Sequence, residues 1–168
     1  LSRRKCIWES HDGSWNWWAR CVAKRASGIV VVTAGAVDFY AEHGVPREKL
    51  LAVSNGIDLD DFAHPESKEQ ARTRLGLPQD AKIALYIGKL DGWKGTDTLL
   101  EASRLLKEVR VVVIGGSQTQ VAELSKKYPH VFFLGYRPYT ELPNNQAAAD
   151  VLIVPNTAKD PISVRFTS

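Results

Sequence analysis

Methionine is absent from all 168 residues. The chain also stops at Arg165-Phe166-Thr167-Ser168 with neither a turn nor a helix end, and both features are read as marks of a fragment cut from a longer protein. Only two cysteines occur, Cys6 and Cys21, far apart and with no histidine at metal-ligand spacing. That scarcity argues against a disulfide framework or a zinc site and predicts two reduced thiols in the cytosol. No apolar run approaches the ~20 residues needed to span a bilayer, and no signal peptide is visible. Internal repeats and low-complexity segments are missing as well. So is a large charge of one sign, since the net charge is only +3. The positive charge is concentrated near the start, where Arg3, Arg4, Lys5, Arg20, Lys24 and Arg25 face only Glu9 and Asp12. A nucleic-acid binder is expected to be basic more widely. A local basic segment suits an anionic surface instead.

What is present reads as a globular chain, with 44% hydrophobic and 24% charged residues. Ile29-Val30-Val31-Val32-Thr33 is a β-branched run that predicts a strand buried on both faces. A helix over 36–43 follows, closed by Gly44. A short strand at 50–53 leads into the turn Ser54-Asn55-Gly56-Ile57-Asp58. His64-Pro65-Glu66-Ser67-Lys68 opens a helix that Gly76 and Pro78 end. Strands at 83–87, 109–114, 131–134 and 151–154 then alternate with helices at 96–107, 118–128 and 141–149. The helix over 96–107 is expected to put Leu99, Ala102, Leu105 and Leu106 on one side. The alternation predicts βαβ units and a parallel sheet. Right-handed crossovers gather the strand C-terminal ends along one edge, where ligands bind. A domain boundary is placed at 54–65.

The loops at that edge carry the candidate chemistry. Gly88-Lys89-Leu90-Asp91-Gly92-Trp93-Lys94-Gly95-Thr96 combines glycines, two lysines and a helix start, which together suit a pyrophosphate. It is not a Walker A loop, because Trp93 precedes Lys94 and Gly95 follows it. A solvated turn with surface lysines has the same composition. Gly115 and Gly116 can let a ligand pass close to the backbone, although a tight strand-to-helix turn explains them equally well. Tyr136 and Arg137 present an aromatic ring and a planar guanidinium, both suited to a nucleobase; an exposed loop stabilised by Pro138 is the plainer alternative.

Three segments in this order resemble a known family. Gly88-Lys89 with Lys94-Gly95-Thr96-Asp97-Thr98-Leu99-Leu100-Glu101-Ala102 looks like the phosphate loop and helix of glycosyltransferase family 4, the group 1 enzymes of the GT-B fold. Ser54-Asn55-Gly56-Ile57-Asp58 with Phe62 resembles the family's linker, and Ala149-Asp150-Val151-Leu152-Ile153-Val154-Pro155-Asn156 its strand toward the donor site. The likeness covers about residues 29–156, with a weaker extension over 7–28.

The resemblance implies an α/β chain. Residues 1–53 would be the C-terminal part of an acceptor-side Rossmann-like domain and 54–65 a linker. Residues 66–168 would be a truncated Rossmann-like domain that binds the nucleotide sugar. It further implies transfer of a hexose, with retention of configuration, from a UDP- or GDP-sugar to a glycan or lipid-linked acceptor. Neither metal nor cofactor is implied. Lys89 and Lys94 would hold the donor diphosphate, and Lys94 would offset charge on the leaving group. Gly88 and Gly95 would give backbone access, and Tyr136 and Arg137 would contact the base. Trp8-Glu9-Ser10-His11-Asp12 resembles a segment whose histidine faces the sugar, which makes His11 a catalytic candidate; a structural histidine is the alternative. Two features depart from the pattern. Many members have arginine where this chain has Lys89. The family's two glutamates separated by seven residues do not follow Val154, where only Asp160 appears before Phe166-Thr167-Ser168. A fragment lacking part of its donor site is therefore expected to be inactive alone. A GT-B sugar-nucleotide epimerase and a non-catalytic nucleotide-binding module stand as alternatives.

Trp15, Trp17 and Trp18 lie among Arg20, Lys24 and Arg25. On a helix, Trp15, Trp18 and Val22 would share a face. Tryptophan beside cations suits a membrane interface, so peripheral contact with the inner membrane face is one expectation for an otherwise cytoplasmic protein. Packing of these rings within the parent domain is the other.

Overall fold

The computed structural model describes residues 5–155. Asp160 and the 165–168 segment lie outside that range, as does the stretch after Pro155 where the family resemblance puts its acidic motif. The chain divides into two compact units at Ile57 and Asp58.

The first unit contains β1 (Ile7–Ser10), α1 (Trp17–Arg25), β2 (Gly28–Val31), α2 (Ala34–Glu42) and β3 (Leu50–Ala52). The strands form a parallel sheet in the order β1-β2-β3. Ile29 and Val31 send their branched side chains into a core with Ala36, Phe39 and Tyr40. The Thr33 hydroxyl caps α2 by accepting from the Ala36 N–H at 3.1 Å. β1 escapes a reading of the sequence because its four residues are mostly exposed and carry Glu9. Its pairing, Ile7 with Gly28 through Ser10 with Val31, is set by the neighbouring strand. The Asn16 side chain caps α1 by accepting from the Ala19 N–H at 2.9 Å, so the helix begins at Trp17. Trp15 therefore precedes the helix and does not share a face with Trp18 and Val22. Its ring meets Tyr40 at 5.6 Å and His43 at 4.9 Å.

The second unit contains α3 (Lys68–Leu75), β4 (Lys82–Ile87), α4 (Thr96–Ser103), β5 (Val109–Ile114), α5 (Gln118–Lys127), β6 (Phe132–Gly135), α6 (Leu142–Ala147) and β7 (Val151–Leu152). Its parallel sheet has the order β6-β5-β4-β7. Alternate residues of β4 and β5 feed two separate cores, as the period of two along a strand requires. Ile83, Leu85, Val112 and Ile114 pack with Ala71, Leu75 and Ala148 on one face. Tyr86, Val111 and Val113 pack with Leu99, Leu100 and Tyr128 on the other. Each fully buried aliphatic side chain here contributes about 1.5–3 kcal/mol relative to exposure.

Element ends differ from the sequence expectation for local reasons. α3 starts at Lys68 because Ser67 and Gln70 form a reciprocal capping box; Gly76 ends it in the left-handed region, at φ 67°. α4 stops at Ser103, where the following N–H groups of Arg104, Leu105 and Leu106 turn to carbonyls three residues back. This tightening throws Leu105 outward, 83% exposed, instead of beside Leu99. α6 is confined to Leu142–Ala147 and carries Pro143 in its first turn.

One ionic cluster ties α3 to the far edge of the sheet. The buried Arg72 guanidinium donates to the Ala148 carbonyl at 3.0 Å, the Gln79 carbonyl at 2.6 Å and the Asp150 carboxylate at 2.8 Å. Asp150 also accepts from Lys68 Nζ at 2.7 Å and from the Ile83 N–H at 2.7 Å. The Lys68 hydrogen bond, followed by that of the Ile83 amide, lowers the Asp150 carboxyl to about 2.

Candidate functional site

The chain runs outward from β4 to β5 and β6, then returns to the opposite side of β4 for β7. The winding direction thus reverses between β4 and β7, and a parallel α/β sheet opens a crevice outside the strand ends at such a point. The 88–95 loop leaves β4 there. Its backbone forms a 3-10 turn over Gly92–Lys94 and then reverses through Gly95 at φ 72°, a left-handed conformation suited to glycine. Gly95 is also the N-cap of α4 and, having no side chain, offers the first-turn amides no capping acceptor.

The loop is braced from beneath. The Tyr86 hydroxyl donates to the Lys89 carbonyl at 2.7 Å, and burial raises the pKa of that phenol. The Gln120 amide reaches the Leu90 carbonyl at 3.4 Å. Lys89 is exposed and Lys94 half-buried, with Lys94 already engaged by a neighbour. Asp97 occupies the first turn of α4, close to Gly92. With Asp91 it places two carboxylates in the same region as the two lysines, so the site is not a simple cationic hole.

Gly115 and Gly116 have a packing role. At Gly115, φ is 129°, and an added Cβ would stand 2.0 Å from the Gly88 carbonyl oxygen. At Gly116 it would stand 2.4 Å from the Leu90 side chain. The β5 loop thus lies directly on the base of the β4 loop. Gly115→Ala is expected to cost about 2–3 kcal/mol through backbone strain and collision, measured as a lower urea midpoint. An unchanged midpoint would show that the two loops can separate freely.

Tyr136 and Arg137 follow β6 and line a cavity of about 390 Å³ with Ile87 and Ile114, the last residues of β4 and β5. Leu142, Asn145 and Gln146 of α6 complete one wall. Sequence reading missed these helix residues; their i, i+3, i+4 spacing was the available signal. The Tyr136 ring is 77% exposed. Arg137 approaches Glu141 at 3.9 Å, and Arg74 approaches the same carboxylate oxygen at 3.7 Å. That oxygen is buried without a hydrogen bond. Lys89 and Lys94 stand on the adjoining loop, outside the cavity lining.

His11 belongs to the first unit. It follows β1, is exposed, and pairs through Nε2 with Glu9 at 2.9 Å. The turn beyond it is held by the Ser10 and Tyr40 hydroxyls, 2.6 Å apart, with the Asp12 carbonyl as a common acceptor. Among the described residues, no group of three or more His, Cys, Asp or Glu is placed to hold a metal.

Residues 67–163 match the sequence profile of Glycosyl transferases group 1. The chain is 32% identical over 146 residues to a D-inositol 3-phosphate glycosyltransferase of Mycolicibacterium smegmatis, covering 80% of this chain and 33% of that protein. A D-inositol 3-phosphate glycosyltransferase of Mycobacterium bovis is 31% identical over 124 residues, 68% of this chain and 26% of its own. The chain thus spans about a third or less of these relatives' length. Among solved structures, HepE of Anabaena in complex with UDP and glucose superposes with a TM-score of 0.75 at 20% identity, over 95% of this chain and 48% of that one. WaaG, a glycosyltransferase involved in lipopolysaccharide biosynthesis, gives 0.67 at 20% identity, over 89% and 50%. The parallel α/β architecture is that of these GT-B structures, and the profile match over the second unit places the chain in the Glycosyl transferases group 1 family.

Proposed function

We propose that this chain is part of a retaining glycosyltransferase that moves a hexose from a nucleotide diphosphate sugar to a glycan or lipid-linked acceptor. The observation that carries the proposal is the placing of the 88–95 loop at the reversal point between β4 and β7, beside the cavity that holds Tyr136 and Arg137. In this reading Lys89, Lys94 and the amides behind Gly95 grip the diphosphate. Gly88, Gly115 and Gly116 keep the backbone low enough for its approach. Tyr136 stacks on the base and Arg137 lies along it. Residues 66–168 form the donor-binding domain, 54–65 the linker, and 1–53 the end of the acceptor-side domain, with His11 as a catalytic candidate. Uridine is favoured over guanosine as the donor base because HepE was solved with UDP and with UDP-glucose.

Calorimetry with UDP-glucose and GDP-mannose tests the donor. UDP-glucose is expected to bind more tightly, and Tyr136→Ala to weaken it by about 1–3 kcal/mol, the usual worth of an aromatic–base stack. Equal binding by Tyr136→Ala would remove the base contact. The anomeric configuration of the product, read by NMR with the full-length protein, tests retention.

A further inference from the structure

We propose that Tyr86 is a positioning residue for the donor diphosphate: its hydroxyl locks the peptide group between Lys89 and Leu90 so that the loop offers the Leu90 N–H, and not a carbonyl oxygen, to the phosphate oxygens. The inference rests on the donor site proposed above and adds to it one main-chain contact and the side chain that sets it. Tyr86 is only 4% exposed and stands in the core with Leu99, Leu100 and Val113. A phenol at that depth needs a partner, because a buried hydroxyl left unpaired is costly. Its partner is the Lys89 carbonyl, to which it donates at 2.7 Å. Burial, and then the Asp91 carboxylate, raise the pKa of the phenol, so the donor proton stays in place at neutral pH.

The consequence lies on the other side of the peptide group. Among the described residues no peptide bond is cis, and in a planar trans peptide the N–H points opposite to the C=O. The Lys89 carbonyl points in toward the Tyr86 hydroxyl, so the Leu90 N–H points away from the core. That N–H has no hydrogen-bond partner among the described residues. Two packing features support the lock. The Leu90 side chain packs against the same core as Tyr86 and lies close over Gly116, where an added Cβ would stand 2.4 Å from its Cδ1. Gly88 clears the space for the phenol, since a Cβ there would meet the Tyr86 hydroxyl at 2.6 Å. Without that hydroxyl the Lys89 carbonyl would face an apolar core with no donor, and turning the peptide over would hydrate it. The turned peptide would put the partial negative charge of an oxygen where the diphosphate brings its own. Outward main-chain N–H groups are instead a recurrent means of holding phosphate.

NMR of the full-length protein carrying isotope-labelled leucine, with calorimetry, tests this. In the wild type the Leu90 amide proton is expected to move downfield with UDP and to stay in place with uridine, which brings no phosphate. Tyr86→Phe is expected to weaken UDP about tenfold, the lower end of what one hydrogen bond to a charged group contributes. In turnover it should raise KM for the sugar nucleotide by a similar factor and leave kcat within about twofold. Tyr128→Phe is the control, because it removes a second phenol from the same core, one that donates to Glu101 at 2.5 Å and not to the 88–95 loop. It should leave UDP binding unchanged. Equal weakening by the two phenol variants would make Tyr86 a residue of the fold alone and overturn the proposal, as would an unmoved Leu90 amide in the UDP-bound wild type. The NMR readout needs no variant, so it decides even if Tyr86→Phe does not fold. If Tyr86→Phe binds UDP as the wild type does while Lys89→Ala and Lys94→Ala bind it weakly, the lock is refuted and the donor site stands. If the lysine variants also bind as the wild type does, the donor site falls and the lock falls with it.

Discussion

Lys94→Ala is expected to lower the rate of sugar transfer by the full-length protein about 10²–10³-fold, a loss of roughly 2.7–4 kcal/mol of transition-state stabilisation. Departure of a nucleoside diphosphate concentrates negative charge on the oxygen that leaves, and a cation already held at that point lowers the barrier without reorganisation. Lys94 ends a 3-10 turn and is followed by a left-handed Gly95, so its backbone is fixed relative to the amides of α4. It is half-buried, whereas Lys89 is exposed and would be screened more by water. Lys89→Ala should accordingly cost less and act mainly on KM. The loss at Lys94 should appear chiefly in kcat, because the charge it meets is largest in the transition state. Asp91 and Asp97 sharpen the expectation: with two carboxylates near the proposed phosphate site, removing one lysine leaves a locally acidic loop for the proposed diphosphate to meet. Steady-state kinetics of the variant, with thermal melting to show that it folds, decide the matter. Wild-type turnover would mean that Lys94 serves the fold alone.

The second large effect is on stability. Arg72→Met is expected to cost about 3–5 kcal/mol, or a fall in Tm of roughly 12–20 °C at about 4 °C per kcal/mol for a domain of about 100 residues. The Arg72 side chain is only 5% exposed, and its loss strands the Ala148 and Gln79 carbonyls as well as weakening the hold on Asp150. The same cluster sets an acid limit. With the Asp150 carboxyl lowered to about 2 from an ordinary 3.8, its contribution to stability is fully present above 3.8 and is lost as pH falls from there toward 2. The wild-type melting temperature should drop through that window. Asp150→Asn should be less stable at neutral pH and flatter within it. A parallel pH profile for the two proteins would place the acid sensitivity elsewhere.

Much of the second unit was legible because its signals are local. The apolar runs at 83–87 and 109–114 and the glycine stop at Gly76 each act through neighbouring residues, and the structure follows them. The resemblance of three segments in order, 54–62, 88–102 and 149–156, identified the family, which the profile match supports. What was not legible depends on distant partners. β1 exists through its pairing with β2. Arg72 looks like any surface arginine of a polar helix until Ala148 and Asp150 come within reach across 76–78 residues of chain. The mismatch at α4 is different in kind: Leu105 and Leu106 continue the helical period, but Ser103 turns its hydroxyl to the Leu100 carbonyl at 2.6 Å and the last turn tightens. The paired lysines, the glycines, Tyr136 and Arg137 stand as candidates by residue type and by the family resemblance. The wall opposite Tyr136, formed by α6, was not, because Asn145 and Gln146 read as ordinary helix-surface amides.

The bases of the three ligand-edge loops are stitched to one another. The Gly88 N–H donates to the Ile114 carbonyl at 3.0 Å, and the Gly115 N–H to the Gly135 carbonyl at 2.8 Å. Hydrogen bonding therefore continues one residue past the last bulky side chains, making a common sill from which all three loops rise. Evolution can lengthen or reshape a loop above such a sill without disturbing the sheet below. A change at the sill itself would tilt every loop at once.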